Sequence, residues 1–153
     1  MLRNAYDGDI IQTESFEIHV ISPRREDYYT ALSDNDRSIV CSVYMKGVCI
    51  LMTADMTERV TERFLTRIGP FPVDILKAPH HGGYNEYMSE FCEAYHVRDA
   101  VVSVGANPYG LPSKDAVDVF SRLRGFYLTQ DSGCVRVNFE DDGRYTIKPW
   151  RSE

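Results

Sequence analysis

The chain has 153 residues, of which 43% are hydrophobic and 26% are charged, a composition that is ordinary for a globular protein. We therefore expect a single domain over residues 1–153, with residues 1–15 irregular. The formal net charge is −6 and the sequence holds no basic patch, so strong nucleic-acid binding through the protein's own charge is not expected. A bound divalent metal would supply the positive charge that a polyanion needs. No apolar run reaches membrane-spanning length and no signal-like segment opens the chain, which predicts a cytoplasmic location.

Hydrophobic periodicity predicts an alternation of strands and helices. The predicted strands are residues 16–21, 38–45, 48–53, 73–77, 100–104, 126–129, 134–139 and 145–148, and the predicted helices are residues 56–68, 87–95 and 114–123. Lys46-Gly47 predicts a two-residue hairpin turn, and residues 22–36 are predicted to form a loop. Strands that alternate with helices imply parallel pairing with helices packed on the sheet, here flanked by antiparallel hairpins.

The four cysteines are widely spaced, and none belongs to a C-x-x-C pair. Three of them lie in apolar segments typical of strands or helices. The spacing therefore predicts reduced thiols in the core, and neither a disulfide scaffold nor a zinc knuckle.

Two kinds of metal ligand follow neighbouring predicted strands. Asp55 comes just after the strand at residues 48–53, and His80-His81 come after Pro79, where the next strand has ended. The carboxyl ends of parallel strands share one edge of a sheet, so these side chains should meet there. Carboxylate and imidazole are donors typical of hydrolytic divalent sites. The sequence thus makes Asp55, His80 and His81 candidate metal ligands.

Each of these residues also has a plainer interpretation. Asp55 stands where a helix N-cap belongs, and Glu58 three residues later completes a capping-box pattern, so spacing alone favours the N-cap. For His80-His81, a ligand pair and two polar loop residues are about equally supported by the residues alone. His19 falls on the polar side of a strand, and His96 closes a helix, so neither is predicted to bind metal.

Five segments occur in an order that resembles one known family. They are NDRSIV at 35–40, CILMTAD at 49–55, DILKAPHHGG at 74–83, VSVGANPYGLP at 102–112 and LTQDSG at 128–133. Together they resemble the carboxy-terminal half of the metallo-β-lactamase-type domain of ComEC-type competence proteins and their soluble relatives. The resemblance runs from about Phe16 to Tyr145, which is most of the chain.

The resemblance implies a fold, a chemistry and partners. The fold is α/β, half of a metallo-β-lactamase-type αββα sandwich, with a mixed sheet, about three helices and flanking β-hairpins. The chemistry is metal-dependent hydrolysis of the phosphodiesterase or nuclease type, linked to DNA uptake. In the family the residue corresponding to Asp55 bridges two metals, and a histidine of the pair corresponding to His80 and His81 binds one. The resemblance therefore favours a ligand role for Asp55 over the N-cap, although one aspartate could serve both, and it implies Asp55, His80 and His81 as metal ligands with Asp55 and His81 as the catalytic residues. Zinc is the expected metal and manganese the alternative.

The sequence departs from the family pattern at three places. The family's H-x-H-x-D-H loop, which lies in the amino-terminal half of the domain, has no match here. Leu111 and Ser113 stand where the family usually or often has histidine, and Ala54 precedes Asp55 where glycine is usual. A two-metal centre needs several protein ligands per ion, and Asp55, His80 and His81 supply at most a partial set for one.

Three hypotheses remain open at this point. The chain is part of a hydrolase, inactive alone or completed by a partner; or it is a non-catalytic binding or assembly module that kept the fold; or, least favoured by the motif order, it is an unrelated α/β domain. Half of a sandwich should expose apolar surface, so we expect a homodimer or pairing with a complementary N-terminal half. The expected surface is the sheet face formed by residues 38–45 and 48–52.

Overall fold

The structure, a computed structural model, describes residues 4–30 and 32–150. Seven strands form one mixed sheet in chain order, and two more form a separate hairpin. The sheet strands are β1 (Ile10–Gln12), β2 (Glu17–Ser22), β3 (Val40–Met45), β4 (Val48–Met52), β5 (Ile75–Lys77), β6 (Asp99–Val102) and β7 (Gly125–Leu128), and the hairpin strands are β8 (Cys134–Phe139) and β9 (Tyr145–Trp150). The helices are α1 (Asp27–Thr30), α2 (Glu58–Arg67), α3 (Met88–Ala94), α4 (Lys114–Phe120) and α5 (Thr129–Ser132).

The sheet changes from antiparallel to parallel pairing at β4. Strands β1 to β4 pair antiparallel, and β4 to β7 pair parallel because α2, α3 and α4 provide the crossovers. Lys46 and Gly47 both have left-handed backbone angles (φ 50° and 79°), as the predicted hairpin turn requires. The expected mixed sheet with flanking hairpins is therefore confirmed.

Two parts of the predicted secondary structure were wrong. Residues 10–12, expected to be irregular, form a short edge strand in which Ile11 pairs with Ile18 of β2. Three residues are too few to show a two-residue period, so the pattern could not reveal this strand. The single-turn helices α1 and α5 were also missed, which raises the helix number within the described residues from three to five.

The core lies between the sheet and its three longer helices. The rings of Phe64 of α2, Phe91 of α3 and Tyr95 pack with their centroids 4.8–5.3 Å apart. Their tilted or edge-on orientations are those that aromatic pairs prefer. The Tyr95 hydroxyl lies 2.8 Å from the Ile68 carbonyl oxygen, so its polar end is satisfied. Burial raises the pKa of Cys92 to about 12 and that of Cys49 to about 11, which keeps both as thiols.

The β8–β9 hairpin lies against the opposite face of the sheet and is fastened there by Tyr145. The Tyr145 hydroxyl is 2.6 Å from Asp99 Oδ2 and 3.0 Å from the Asp74 carbonyl oxygen. Asp99 points away from the helices because its neighbour Ala100 belongs to the helix-covered core. Burial raises the pKa of Tyr145, with Asp99 as the next cause, so the hydroxyl stays protonated and able to donate. Arg124 donates to both Asp99 and Tyr145, which completes the network.

Helices of the described residues are all too short or too polar to cross a membrane.

Replacing Tyr145 with phenylalanine should loosen the hairpin, because Asp99 is buried and would lose one of its donors. Arg124 still donates to Asp99 in this variant, so the loss is that of one hydrogen bond to a charged group, about 1.5–3 kcal/mol, and we expect the free energy of unfolding in urea to fall by that amount. Tyr29→Phe, which changes an exposed tyrosine, is the control and should leave stability unchanged. Equal stability of Tyr145→Phe and the native chain would contradict a fastening role for this hydroxyl.

Candidate functional site

Asp55 lies in a tight turn directly after β4. The amide of Met56 donates to the Thr53 carbonyl oxygen at 3.0 Å, and Ala54 takes a left-handed φ of 46° to close the turn. The Thr53 hydroxyl donates to the Lys77 carbonyl oxygen at 2.5 Å, which joins the end of β4 to the end of β5. Asp55 thus projects from the edge of the sheet where the parallel strands end.

The expectation that Asp55 caps the following helix was wrong. Helix α2 begins at Glu58, and Thr57 is its N-cap, with its side-chain oxygen accepting from the Val60 amide at 3.3 Å. The tight turn at Ala54 delays the start of the helix, so Asp55 lies two residues before the cap. The expected capping-box partner, Glu58, instead accepts from the Glu86 amide at 3.2 Å. Asp55 therefore does not cap α2.

His80 and His81 lie in a second strained turn, which follows β5 and Pro79. Both have left-handed backbone angles, φ 45° and 55°, and each such residue costs about 1–2 kcal/mol in a chain of L-amino acids. The His80 amide donates to the Ala54 carbonyl oxygen at 3.1 Å, so the two turns are tied directly to each other. The Lys77 ammonium donates to the same oxygen at 2.8 Å. Strain of this kind concentrates at functional sites.

His81 faces Asp55 in an orientation that suits a ligand. Its Nε2 lies 3.7 Å from Asp55 Oδ1, while its Nδ1 lies 2.6 Å from the Ser103 carbonyl oxygen. A carbonyl oxygen only accepts, so Nδ1 carries the proton and Nε2 of the neutral ring has a free lone pair. Carbonyl contacts of this kind fix the ring of metal-binding histidines. Sequence reasoning left open which histidine would bind, and the geometry favours His81.

His80 is oriented differently. Its Nδ1 lies 3.4 Å from the side-chain nitrogen of Asn35, and its ring centroid is 6.5 Å from that of His81 with the planes at 81°. It makes no ion pair with Asp55 within the described residues. Asn35 lies in a 3-10 turn, Asn35–Arg37, inside the segment expected to be a loop. Asn35 and His80 are 45 positions apart in the sequence, so local spacing could not predict this contact.

A cavity of about 510 Å³ opens beside His80 and His81. It is lined by His80, His81, Thr57, the exposed rings of Tyr84 and Tyr109, and Leu111, among others. Leu111 brings an aliphatic wall where the family usually has an imidazole. Ser113 is the N-cap of α4, accepting from the Ala116 amide, so it serves the helix. Neither position supplies a metal donor.

The donors at this edge fit part of one metal ion's ligand set. Asp55 Oδ1 and His81 Nε2 are an oxygen and a nitrogen of the kind that zinc and manganese accept. Within residues 4–30 and 32–150, no group of three or more histidine, cysteine, aspartate or glutamate side chains is arranged to hold a metal. Asn107 follows the end of β6, and its side-chain nitrogen donates to the carbonyl oxygens of Gly105 and Leu111 in its own loop. The roles of Asp55, His80 and His81 as ligands therefore stay predictions.

Comparison with solved structures defines the class of fold. A crystal structure from Thermotoga maritima, assigned as a Zn-dependent hydrolase of the metallo-beta-lactamase superfamily, superposes with a TM-score of 0.55. The match covers 82% of this chain and 71% of that chain at 15% sequence identity, so it shows the fold alone. The chain has a metallo-β-lactamase-type fold, as the motifs predicted. The zinc dependence is assigned to the Thermotoga maritima protein.

Comparison with characterised sequences adds a named relative. The chain is similar to ComE operon protein 3 of Bacillus subtilis strain 168, with 24% identity over 145 residues. The match takes in 93% of this chain but only 18% of that protein, so the chain spans about a fifth of its relative. No family model matches the sequence. The resemblance to ComEC-type proteins is confirmed.

Replacing Ala54 with glycine should stabilise the chain. Glycine removes the left-handed cost of about 1–2 kcal/mol, of which its greater freedom in the unfolded chain gives back about 0.5–1 kcal/mol. We expect the free energy of unfolding to rise by up to about 1 kcal/mol in urea titrations. Ala106→Gly, at an exposed alanine outside the left-handed positions, is the control and should not stabilise. A loss of stability in Ala54→Gly would contradict strain at this turn.

Proposed function

We propose that this chain contributes the Asp55–His81 pair to a metal-dependent phosphodiester hydrolase whose other metal ligands come from a separate segment or a partner chain. The observation that carries the proposal is the 3.7 Å approach of Asp55 Oδ1 to His81 Nε2, with the opposite ring nitrogen held by Ser103. Two strained turns bring these side chains together, and loops with only a structural role would not need such strain.

The residues have separate tasks in this proposal. Asp55 and His81 would hold a zinc or manganese ion, and the Ser103 carbonyl would keep His81 in the binding tautomer. When bound, such an ion neutralises phosphoryl charge and makes a coordinated water more acidic. The open cavity beside the pair would receive the phosphodiester, and Tyr84 and Tyr109 at its rim would contact the groups that flank it. DNA is the substrate to test first because of the resemblance to ComEC-type competence proteins.

Metal binding tests the proposal directly. We expect calorimetric titration to detect one weakly bound zinc or manganese ion per chain. Asp55→Asn and His81→Ala should each weaken binding by at least about tenfold, because losing an outer contact of a ligand already costs that much. His80→Ala should have a smaller effect.

His19→Ala is the matched control, since His19 is bonded to Glu17 on β2, which is separated from β4 by one strand of the sheet. It should bind metal as the native chain does. Binding that is equal in the native chain, Asp55→Asn and His81→Ala would refute a metal role for the pair. We expect no hydrolysis of bis(p-nitrophenyl) phosphate or of DNA by the isolated chain, because two donors leave the centre incomplete; metal-dependent turnover by the chain alone would refute that part.

A non-catalytic module that kept the fold is the second candidate. Leu111 in the cavity wall and Ser113 at the helix cap favour it, because both positions have lost the donors usual in the family. Stoichiometric metal on the purified chain would decide against this candidate, and inertness to zinc and manganese would decide for it.

We further propose that the chain pairs through the sheet face opposite the helices. The strand register aligns four aliphatic side chains across this face, Ile11, Ile18, Val43 and Ile50. Ile11 is 52% exposed, and Met52 on the same face is 40% exposed. A continuous apolar row beside water indicates an interface. A second copy would cover it in the isolated chain, and a complementary N-terminal half would cover it in a longer assembly.

Sedimentation velocity tests the pairing. We expect the native chain to sediment as a dimer and Val43→Lys to sediment as a folded monomer, because a lysine in the middle of the row would bury an unpaired charge. Tyr29→Lys changes an exposed residue away from this row and should remain dimeric. A freely soluble native monomer would contradict the proposal.

A further inference from the structure

The β8–β9 register collects cations and an aromatic ring on one side of the hairpin. Alternation turns Val137 and Ile147 toward the sheet, where they are half-buried, and turns the residues between them to solvent. The outward residues form three cross-strand pairs, which we call the hairpin outer face: Cys134 with Trp150, Arg136 with Lys148, and Asn138 with Thr146. The face carries two positive charges and no carboxylate, although the whole chain has a net charge of −6.

The two charges on this face are not neutralised by the protein. Arg136 and Lys148 are directly opposite each other, and like charges in this placement destabilise a sheet. Neither makes an ion pair within the described part of the chain. At the turn end of the same hairpin the cations do have acid partners, Lys46 with Asp141 and Arg144 with Glu140. An unpaired cation pair on an acidic protein suits an anion from outside.

Trp150 adds a stacking surface next to these charges. It is the one tryptophan of the sequence and is 51% exposed. The Arg136 guanidinium carbon lies 3.9 Å from the centre of its ring, so cation and ring are held as one unit. Exposed aromatic rings beside cations are the elements with which proteins bind single-stranded nucleic acid without sequence preference.

The position of this face matters for its use. Gly133 bridges to Trp150, and Gly133 directly follows α5, whose first residue Thr129 lines a cavity together with His81. The Trp150 end of the hairpin therefore lies at the edge of the sheet that carries the candidate site. From there the outer face runs about 13 Å along the strands, at ~3.3 Å per residue.

We propose that the hairpin outer face binds single-stranded nucleic acid, with Arg136 and Lys148 on phosphates and Trp150 stacked on a base. The rest of the face, Asn138 and Thr146, is polar and can bond to the phosphodiester chain. A membrane surface is a poorer match, because a single tryptophan offers little apolar area for insertion. Net charge and linear sequence predicted no basic patch, and this local one is created by pairing residues that lie 12 positions apart. The proposal does not depend on the metal role of Asp55 and His81.

Intrinsic fluorescence tests it, because all tryptophan emission comes from Trp150. We expect a dT20 oligonucleotide, added at low salt with EDTA present to exclude metal effects, to quench this emission. The Arg136→Ala/Lys148→Ala double variant should reduce the slope of log affinity against log salt by about 1.4, at ~0.7 for each phosphate contact on a single strand. Trp150→Ala, followed by anisotropy of a labelled oligonucleotide, should weaken binding by about fivefold or more, whereas Trp150→Phe should keep most of it.

The control removes the same charge elsewhere. Lys114→Ala/Arg122→Ala takes two exposed cations, one from the first residue of α4 and one from just beyond its end, on the helix side of the sheet. It should leave the oligonucleotide affinity and salt slope within experimental error of the native chain. Circular dichroism should show all variants folded, because the hairpin is fastened through its inner face by Tyr145. Absence of quenching, equal effects of the two double variants, or a response to anionic phosphatidylserine vesicles but not to dT20 would overturn the proposal.

Discussion

The carbonyl oxygen of Ala54 ties the candidate site together. It accepts the His80 amide at 3.1 Å and the Lys77 ammonium at 2.8 Å, so the turn after β4 and the turn after β5 cannot move independently. Lys77 is partly buried, and burial lowers its pKa while the nearby Asp55 opposes that shift. Without this shared acceptor, three left-handed residues in two short turns would relax, and Asp55 and His81 would lose their alignment.

Parallel pairing supplies the frame on which these turns are set. Met52 of β4 aligns with Lys77 of β5, and Lys77 aligns with Val101 of β6, so the three strands end almost in step. Ser103 then follows the end of β6, where its carbonyl oxygen accepts a hydrogen bond from His81 Nδ1. Each of three consecutive strands therefore contributes one element of the site: a carboxylate, an imidazole, and the oxygen that orients the imidazole. The arrangement follows from the register of the sheet and does not require any long loop.

Much of the fold could be predicted from the sequence, because most of its elements are long enough to show a period. The strands around residues 40–52, the helix before Gly69-Pro70 and the terminal hairpin follow from hydrophobic alternation and turn residues. The three-residue strand at Ile10–Gln12 and the single-turn helices are too short to repeat a period and were missed. The predicted helix cap was wrong, because Asp55 and Thr57 are both suitable caps and the left-handed turn at Ala54 placed the cap at Thr57.

The site shows the same division between local and long-range information. The positions of the strand ends in the sequence correctly predicted that Asp55 and the histidine pair lie close together, since parallel strands leave few other arrangements. The choice between His80 and His81 depended on Ser103 and Asn35, which lie 22 and 45 residues away from their partners. The charged outer face of the hairpin was likewise hidden, because Arg136 and Lys148 become neighbours only through strand pairing.

Two features of the described residues bear on the proposal of a second layer. The donor set is short of ligands at the strand ends, and the apolar row Ile11, Ile18, Val43 and Ile50 is short of a covering layer on the sheet face below them. The β8–β9 hairpin is fastened to that face near β5 and β6, where Asp74 and Asp99 hold Tyr145, and its turn reaches Lys46 through Asp141. The proposed second layer would cover the apolar row that the hairpin leaves exposed. If that layer also carried metal ligands to the strand ends, covering the row and completing the ligand set would be one event, and metal affinity and association should rise and fall together.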